Sequence, residues 1–442
     1  IALLAPSLSG LIGCAAPATR GGRQARRAGP GEGGYGPLRP AGPELALPAG
    51  FSYAVISTAG QPMSDGRPTP NTFDGMAAFP RPDGMVRLIR NHENRDNPLT
   101  AKPFGNPFKA YDPKAGGGCT TLDVRLAEDG SATLVRDFVS LNGTIINCAG
   151  GPTPWGSWLS CEETTDGPAQ GWTKQHGYIF EVPVSAESEV DPVPLKEMGR
   201  LVHEAVAVDP RSGIVYETED RYMAGFYRFI PNQPGFLQAG GKLEMLAVDG
   251  RRQVDLSSGQ RVGESLSVTW VPIENPDRNA VWDSAGVFEQ GYSIGGARFS
   301  RLEGCWYGDE SVYFHATNGG DAKLGQIWQY RPTASDGGEL TLIFESPSAD
   351  VLAGPDNVTV SPRGGIVICE DNGDANFIRG LTPDGRIFDF AKNILNKDEF
   401  AGACFSPNGK TLFLNIMGST VSSGTSMGRT VAIWGPWEDG AL

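Results

Sequence analysis

The sequence predicts an all-β protein, a β-propeller, from three observations: short apolar runs recur along the chain, similar hairpin turns separate them, and glycine and proline are frequent throughout (60 and 34 of 442 residues). The runs fall at 51–56, 85–89, 178–182, 214–216, 366–368 and 411–414. Each is apolar or alternating over a strand's length. The turns read DPRSG at 209–213, SPRGG at 361–365, TPDG at 382–385 and SPNG at 406–409. Proline presets the first turn residue and glycine supplies positive φ, so each unit reads as strand, tight turn, strand. Such hairpins over a single stretch of roughly 390 residues predict one propeller domain over 46–442, with about five to seven blades. A sandwich with insertions is the rival arrangement, and only the stretch around 391–399 shows helical periodicity.

The residues ahead of that domain read differently. Residues 1–18 are apolar and rich in small side chains, as in part of a secretory signal, and are too short and interrupted for a stable membrane span. Export to the periplasm or the extracellular space is therefore expected. Leu11-Ile12-Gly13-Cys14 also fits a bacterial lipobox, which would make Cys14 a lipid anchor, whereas Ala16-Pro17-Ala18 fits ordinary cleavage. Residues 19–45 are rich in Gly, Pro and Arg without apolar periodicity and predict a flexible linker. Six further cysteines are widely scattered and form no compact disulfide framework or zinc motif.

A net charge of −14 argues against a nucleic-acid partner, which needs clustered Lys and Arg. The same charge suits both solubility and hard cations. Acidic clusters then recur at strand ends: Asn91-His92-Glu93, Glu162-Glu163, His203-Glu204, Glu219-Asp220, Arg301-Leu302-Glu303, Asp356-Asn357 and Glu370-Asp371. Any one of these acids is more often a solvated or turn-capping group, and a lone cysteine is more often a small core residue. Recurrence is what raises the functional reading. In a propeller corresponding strand ends converge, and several carboxylates brought together cannot all stay ionised without a cation. Calcium takes six to eight oxygen ligands, and a thiolate among them, Cys148 or Cys161, would add a transition metal. No P-loop or HExxH motif offers another chemistry, and four histidines offer little for a Ser-His-Asp site.

The motifs Phe73-Asp74-Gly75-Met76, Arg90-Asn91-His92-Glu93, Thr153-Pro154-Trp155-Gly156, Cys161-Glu162-Glu163, His203-Glu204, Thr218-Glu219-Asp220-Arg221, Arg301-Leu302-Glu303-Gly304, Gly325-Gln326-Ile327-Trp328 and Gly435-Pro436-Trp437 resemble the PhoX family of bacterial alkaline phosphatases. The order is preserved from about residue 35 to 437, so the resemblance spans one domain. It implies a six-bladed propeller whose axial site holds Fe³⁺ and Ca²⁺ bridged by an oxo group, and which hydrolyses phosphate monoesters. By that resemblance Glu93, Glu219 and Glu303 look like metal ligands, Cys148 like the iron-ligating cysteine, and Arg301 like the arginine that grips phosphate. One of Glu162 and Glu163 should be a ligand, with Glu163 preferred, and Asp220 joins the acidic set. Pro355-Asp356-Asn357 and Cys369-Glu370-Asp371 resemble a shorter branch, in which Asp356, Glu370 and Asp371 would bind calcium. The expected partners are small phosphorylated organic substrates, and the expected state is a monomer. A calcium-dependent lactonase or phosphotriesterase-like hydrolase, and a non-catalytic calcium-stabilised propeller, are the alternative functions.

Overall fold

The computed structural model describes residues 25–278, 286–333, 336–419 and 425–442; the signal-like segment and Cys14 lie outside these. The described residues form five antiparallel sheets in a propeller-like arrangement. The expected hairpins appear where proline and glycine mark them. Gly213, Gly364, Gly385 and Gly409 take positive φ. Their amides donate to Asp209, Ser361, Thr382 and Ser406 carbonyls at 2.8–3.0 Å.

The first sheet is a four-stranded meander, Phe73–Pro80, Val86–His92, Gly117–Leu126 and Ala132–Thr144. The second has three strands, starting at Asn147–Pro152. The third has nine, because two meanders, starting at His203–Val208 and Leu302–Gly308, are joined where Ser265–Pro272 pairs with Gly338–Glu345. A fourth starts at Pro355–Val360 and a fifth at Phe400–Phe405. The fifth sheet is completed by Ser52–Thr58 from the other end of the chain, paired with Arg429–Trp434. The six leading strands pack beside one another in sequence order, and the last returns to the first. The core is correspondingly divided, one apolar cluster filling each gap between neighbouring meanders. Leu159, Ile179, Val215 and Tyr227 fill one such gap; Phe226, Phe314, Trp328 and Tyr330 fill the next.

Two expectations change. The segment 19–45 is not a free linker where it is described. Ala28 N donates to Ile387 O at 3.0 Å, and Leu45–Leu47 pairs with Ile387–Asn393. Tyr35 packs edge-on against Phe51, Phe388, Phe390 and Trp437, and its hydroxyl lies 2.9 Å from Trp437 O. A few apolar residues suffice because each enters a ready-made aromatic cluster. The helical period around 391–399 also gives way, to a strand that ends at Asn393 and an irregular connection before Phe400. The α-helix of the described residues is Gly286–Ile294, and no described helix is long and apolar enough to cross a membrane. All six described cysteines are buried free thiols.

Candidate metal centre

The leading strands carry the site, and each does so through the same irregularity. Pairing with the second strand slips between Phe73 and Met76, Asn147 and Gly150, His203 and Val206, Leu302 and Cys305, Pro355 and Val358, and Ala401 and Cys404. A β-bulge re-aims the side chain it carries. The six bulges begin with Asp74, Cys148, Glu204, Glu303, Asp356 and Gly402. The next residue is small in most of them, because the strands nearly touch: a Cβ on Gly75 would lie 2.6 Å from Ala149 Cα, and one on Gly304 2.6 Å from Asp356 O. Beside the cluster the leading strands enclose a cavity of about 10 Å³, room for one water, lined also by Trp306.

Second strands supply the rest. Glu93, Glu163, Asp220 and Asp371 each stand one residue past the end of their strand. The acid before each of the last three faces the other way, since side chains alternate along a strand. Glu162 is fully buried and accepts from the amides of Ile145, Gly177 and Tyr178 and from His176 Nδ1 at 2.6 Å. Burial opposes a charge on His176, but Glu162 and Asp112 outweigh it and raise its pKa to about 9. Glu219 accepts from Gly225 N and Tyr227 Oη, and Glu370 from the amides of Ala353 and Phe377 and from Arg379. These three predicted ligands lie outside the donor groups; they brace the loops that hold the site.

The remaining predicted ligands other than Asp220 converge with Asp74, Glu204 and Glu399 in four groups whose donor atoms lie within 4.8 Å: Asp74–Glu93–Cys148, Cys148–Glu163–Glu204, Glu204–Glu303–Asp356 and Asp356–Asp371–Glu399. Consecutive groups share Cys148, Glu204 and Asp356, so the whole is one continuous cluster. Asp220 adjoins it, its charge felt by Glu163, Glu204 and Glu303.

Burial pushes the carboxyls of Asp74, Glu163, Glu204, Glu303 and Glu399 well above the usual range, and neighbouring acids add to it, with Arg95 opposing the rise at Glu163 and Arg301 at Glu303. Asp356 is raised to about 7 by burial and then by Asp371. Burial likewise raises the Cys148 thiol, which donates to Glu204 Oε1 at 3.3 Å, leaving Glu204 Oε2 buried without a partner. Without cations such a cluster must hold protons; bound cations displace them. An unpartnered buried oxygen and crowded donors are what a cation-binding site requires. The first two groups mix sulfur and oxygen, and the last two are all oxygen.

Two arginines border the cluster. Arg301 pairs with Asp220 through Nε–Oδ1 and Nη2–Oδ2 contacts of 2.8 Å each, and reaches Glu303 at 3.0 Å. Its backbone is left-handed, φ 48°, pinned by Arg301 N to Arg221 O and Thr317 N to Arg301 O. Arg95 pairs with Glu93 and Glu163.

Sequence reasoning left Asp74, Glu204, Glu399 and Arg95 without a role. Asp74 and Glu204 carried a readable signal, an acid followed by a small residue at the start of a leading strand. Glu399 and Arg95 carried none. Glu399 precedes the Phe400 strand, whose own bulge holds Gly402; a Cβ there would meet Asp74 O at 2.4 Å.

The model of the family alkaline phosphatase PhoX matches residues 33–419. Among solved structures, Pseudomonas fluorescens PhoX in complex with vanadate, a transition state analogue, is similar with a TM-score of 0.71 and 18% identity, covering 94% of this chain and 99% of that one. A gluconolactonase from Xanthomonas campestris is far more distant, with a TM-score of 0.39 and 12% identity over 90% of this chain and 99% of that one. No curated protein matches the sequence. The match over 33–419 places this chain in the PhoX alkaline phosphatase family.

Proposed function

We propose that the chain is an exported phosphatase that hydrolyses phosphate monoesters of small organic molecules, acting as a monomer through Fe³⁺ and Ca²⁺ held in the donor cluster. The observation that carries the reading is the continuous run of donors, buried at Asp74, Cys148 and Glu204 and opening to solvent at Asp371, bordered by Arg301 in a chain of this family. The thiol-containing groups around Cys148 suit iron, and the all-oxygen groups around Asp356 suit calcium. We read the two meanders of the nine-stranded sheet as separate blades, giving six around an axial site. Export rests on the apolar residues 1–18, with Cys14 as a lipid anchor in the variant reading.

Bound metal ions would supply Lewis-acid polarisation of the phosphoryl oxygens. The chain's own contribution is placement. Arg301 is held by Asp220 through Nε and Nη2, and its Nη1 would face the equatorial oxygens as charge builds on them. Its pinned backbone and the Asp220 pair keep that guanidinium in place. Glu162, Glu219 and Glu370 hold the loops after each second strand, so the donors beyond them need little reorganisation. No protein nucleophile is needed in such a scheme.

The test is turnover of p-nitrophenyl phosphate by purified protein, with metal analysis. Iron and calcium should both be present. Cys148→Ser should lose iron, and Arg301→Ala should keep the metals but lose about 100-fold or more in kcat/KM. Calcium without iron, together with turnover of a lactone or triester only, would overturn the proposal.

A further inference from the structure

We infer that the groove beside the donor cluster is the leaving-group subsite, and that it takes the hydroxyl-bearing part of a phosphorylated sugar or polyol; this rests on the phosphatase reading above. The groove has a volume of about 580 Å³, and Arg301 and Asp371 are among the residues that line it. Its lining includes the turn that carries Asn318 and Lys323 and the segments around Asp350 and Phe377. It is far larger than a phosphate needs and lies in the range of sites for small organic ligands. A phosphoryl group held at Arg301 would direct its ester oxygen into it.

The walls define the chemistry of what enters. Asn318 lines the groove with a half-buried carboxamide that has no hydrogen-bond partner among the described residues. Lys323 is exposed on the lip, in a left-handed backbone position (φ 56°), with no carboxylate partner among the described residues. Asp350 adds an exposed acceptor, and Phe377 an aromatic surface beside Arg379, whose guanidinium lies 4.0 Å from the ring centroid. Donors and acceptors are thus mixed at short range. A hydroxyl both donates and accepts, so a polyhydroxylated group satisfies such walls. A lipid alcohol would strand these polar groups, and a second anion would meet Asp350 and Asp374 as well as Lys323.

The test compares glucose 6-phosphate with p-nitrophenyl phosphate, whose flat ring offers no hydroxyl to Asn318. Asn318→Ala, checked by an unchanged melting temperature, should lose about tenfold in kcat/KM on glucose 6-phosphate, mainly through KM, and less than about twofold on p-nitrophenyl phosphate. Lys323→Met, an exposed change that threatens no packing, should shift the ratio in the same direction. Equal losses on both substrates, or no loss on glucose 6-phosphate in either variant, would overturn the subsite. Absence of p-nitrophenyl phosphate turnover by the wild-type protein would instead overturn the phosphatase reading itself.

Discussion

At the scale of single residues, adjacent acids have opposite duties. Glu162 and Glu163 differ by one position, yet one is spent on three backbone amides and His176, while the other enters the donor groups with Cys148 and Glu204. Glu162→Gln leaves amide donors and a charged His176 poorly matched in a buried place, and should cost about 2–4 kcal/mol in urea unfolding. Glu163→Gln should cost little stability but lower the metal content of purified protein. Reversed effects would exchange the two roles. Titration offers a second check. Asp356 is raised to about 7 and its neighbours are raised too, so the metal-free fold binds protons that the unfolded chain has released. A raised pKa contributes stability that is complete below the unfolded value and is lost as pH rises through the folded one. Chelated protein should therefore melt progressively lower from about pH 4 through pH 7 and above, and added calcium should reverse the fall most at the alkaline end. A chelated melting curve flat over that range would contradict the protonated cluster.

Elements act through bulges. The six leading strands repeat one slip in register, and five of its six sites present a donor. The sixth is Gly402, excluded from that duty by Asp74 O, and Glu399 supplies the donor from just outside its strand. Close strand approach is the condition for the whole arrangement. Gly304→Ala would press a methyl against Asp356 O and Val358 N, at 2.6 and 2.7 Å, which are backbone atoms with little freedom to move. It should destabilise by about 1–3 kcal/mol and weaken calcium binding measured by calorimetry, because Asp356 serves two donor groups. An unchanged calcium affinity would mean that the bulge does not set donor spacing. The acidic pairs were legible in sequence as strand ends. Which member of each pair faces the cluster was not, since a one-residue difference in where the strand ends exchanges the faces.

Across the whole molecule, the ends of the chain close the structure. Ser52–Thr58 completes the last sheet, and the Tyr35 ring ties the preceding segment to Trp437 and the C-terminal Leu442. Tyr35→Ala should lower the unfolding free energy by about 3 kcal/mol, as for other large aromatics removed from a packed cluster. A change within error would restore the linker reading of residues 25–45.

Short-range chemistry was readable from the residues alone: strand periodicity, the proline–glycine turns and the recurrence of acids at strand ends all depend on neighbours a few positions apart. That much settled the β class and pointed to a cation-binding cluster, and motif order pointed to the family. Tertiary structure decided the membership of the cluster. Asp74 and Asp356 meet across 282 positions, Arg95 reaches Glu163 from another sheet, and Glu399 is recruited because Gly402 has no room for a side chain. These contacts follow from ring closure and strand register, which set distances between residues far apart in sequence and leave no local pattern behind them.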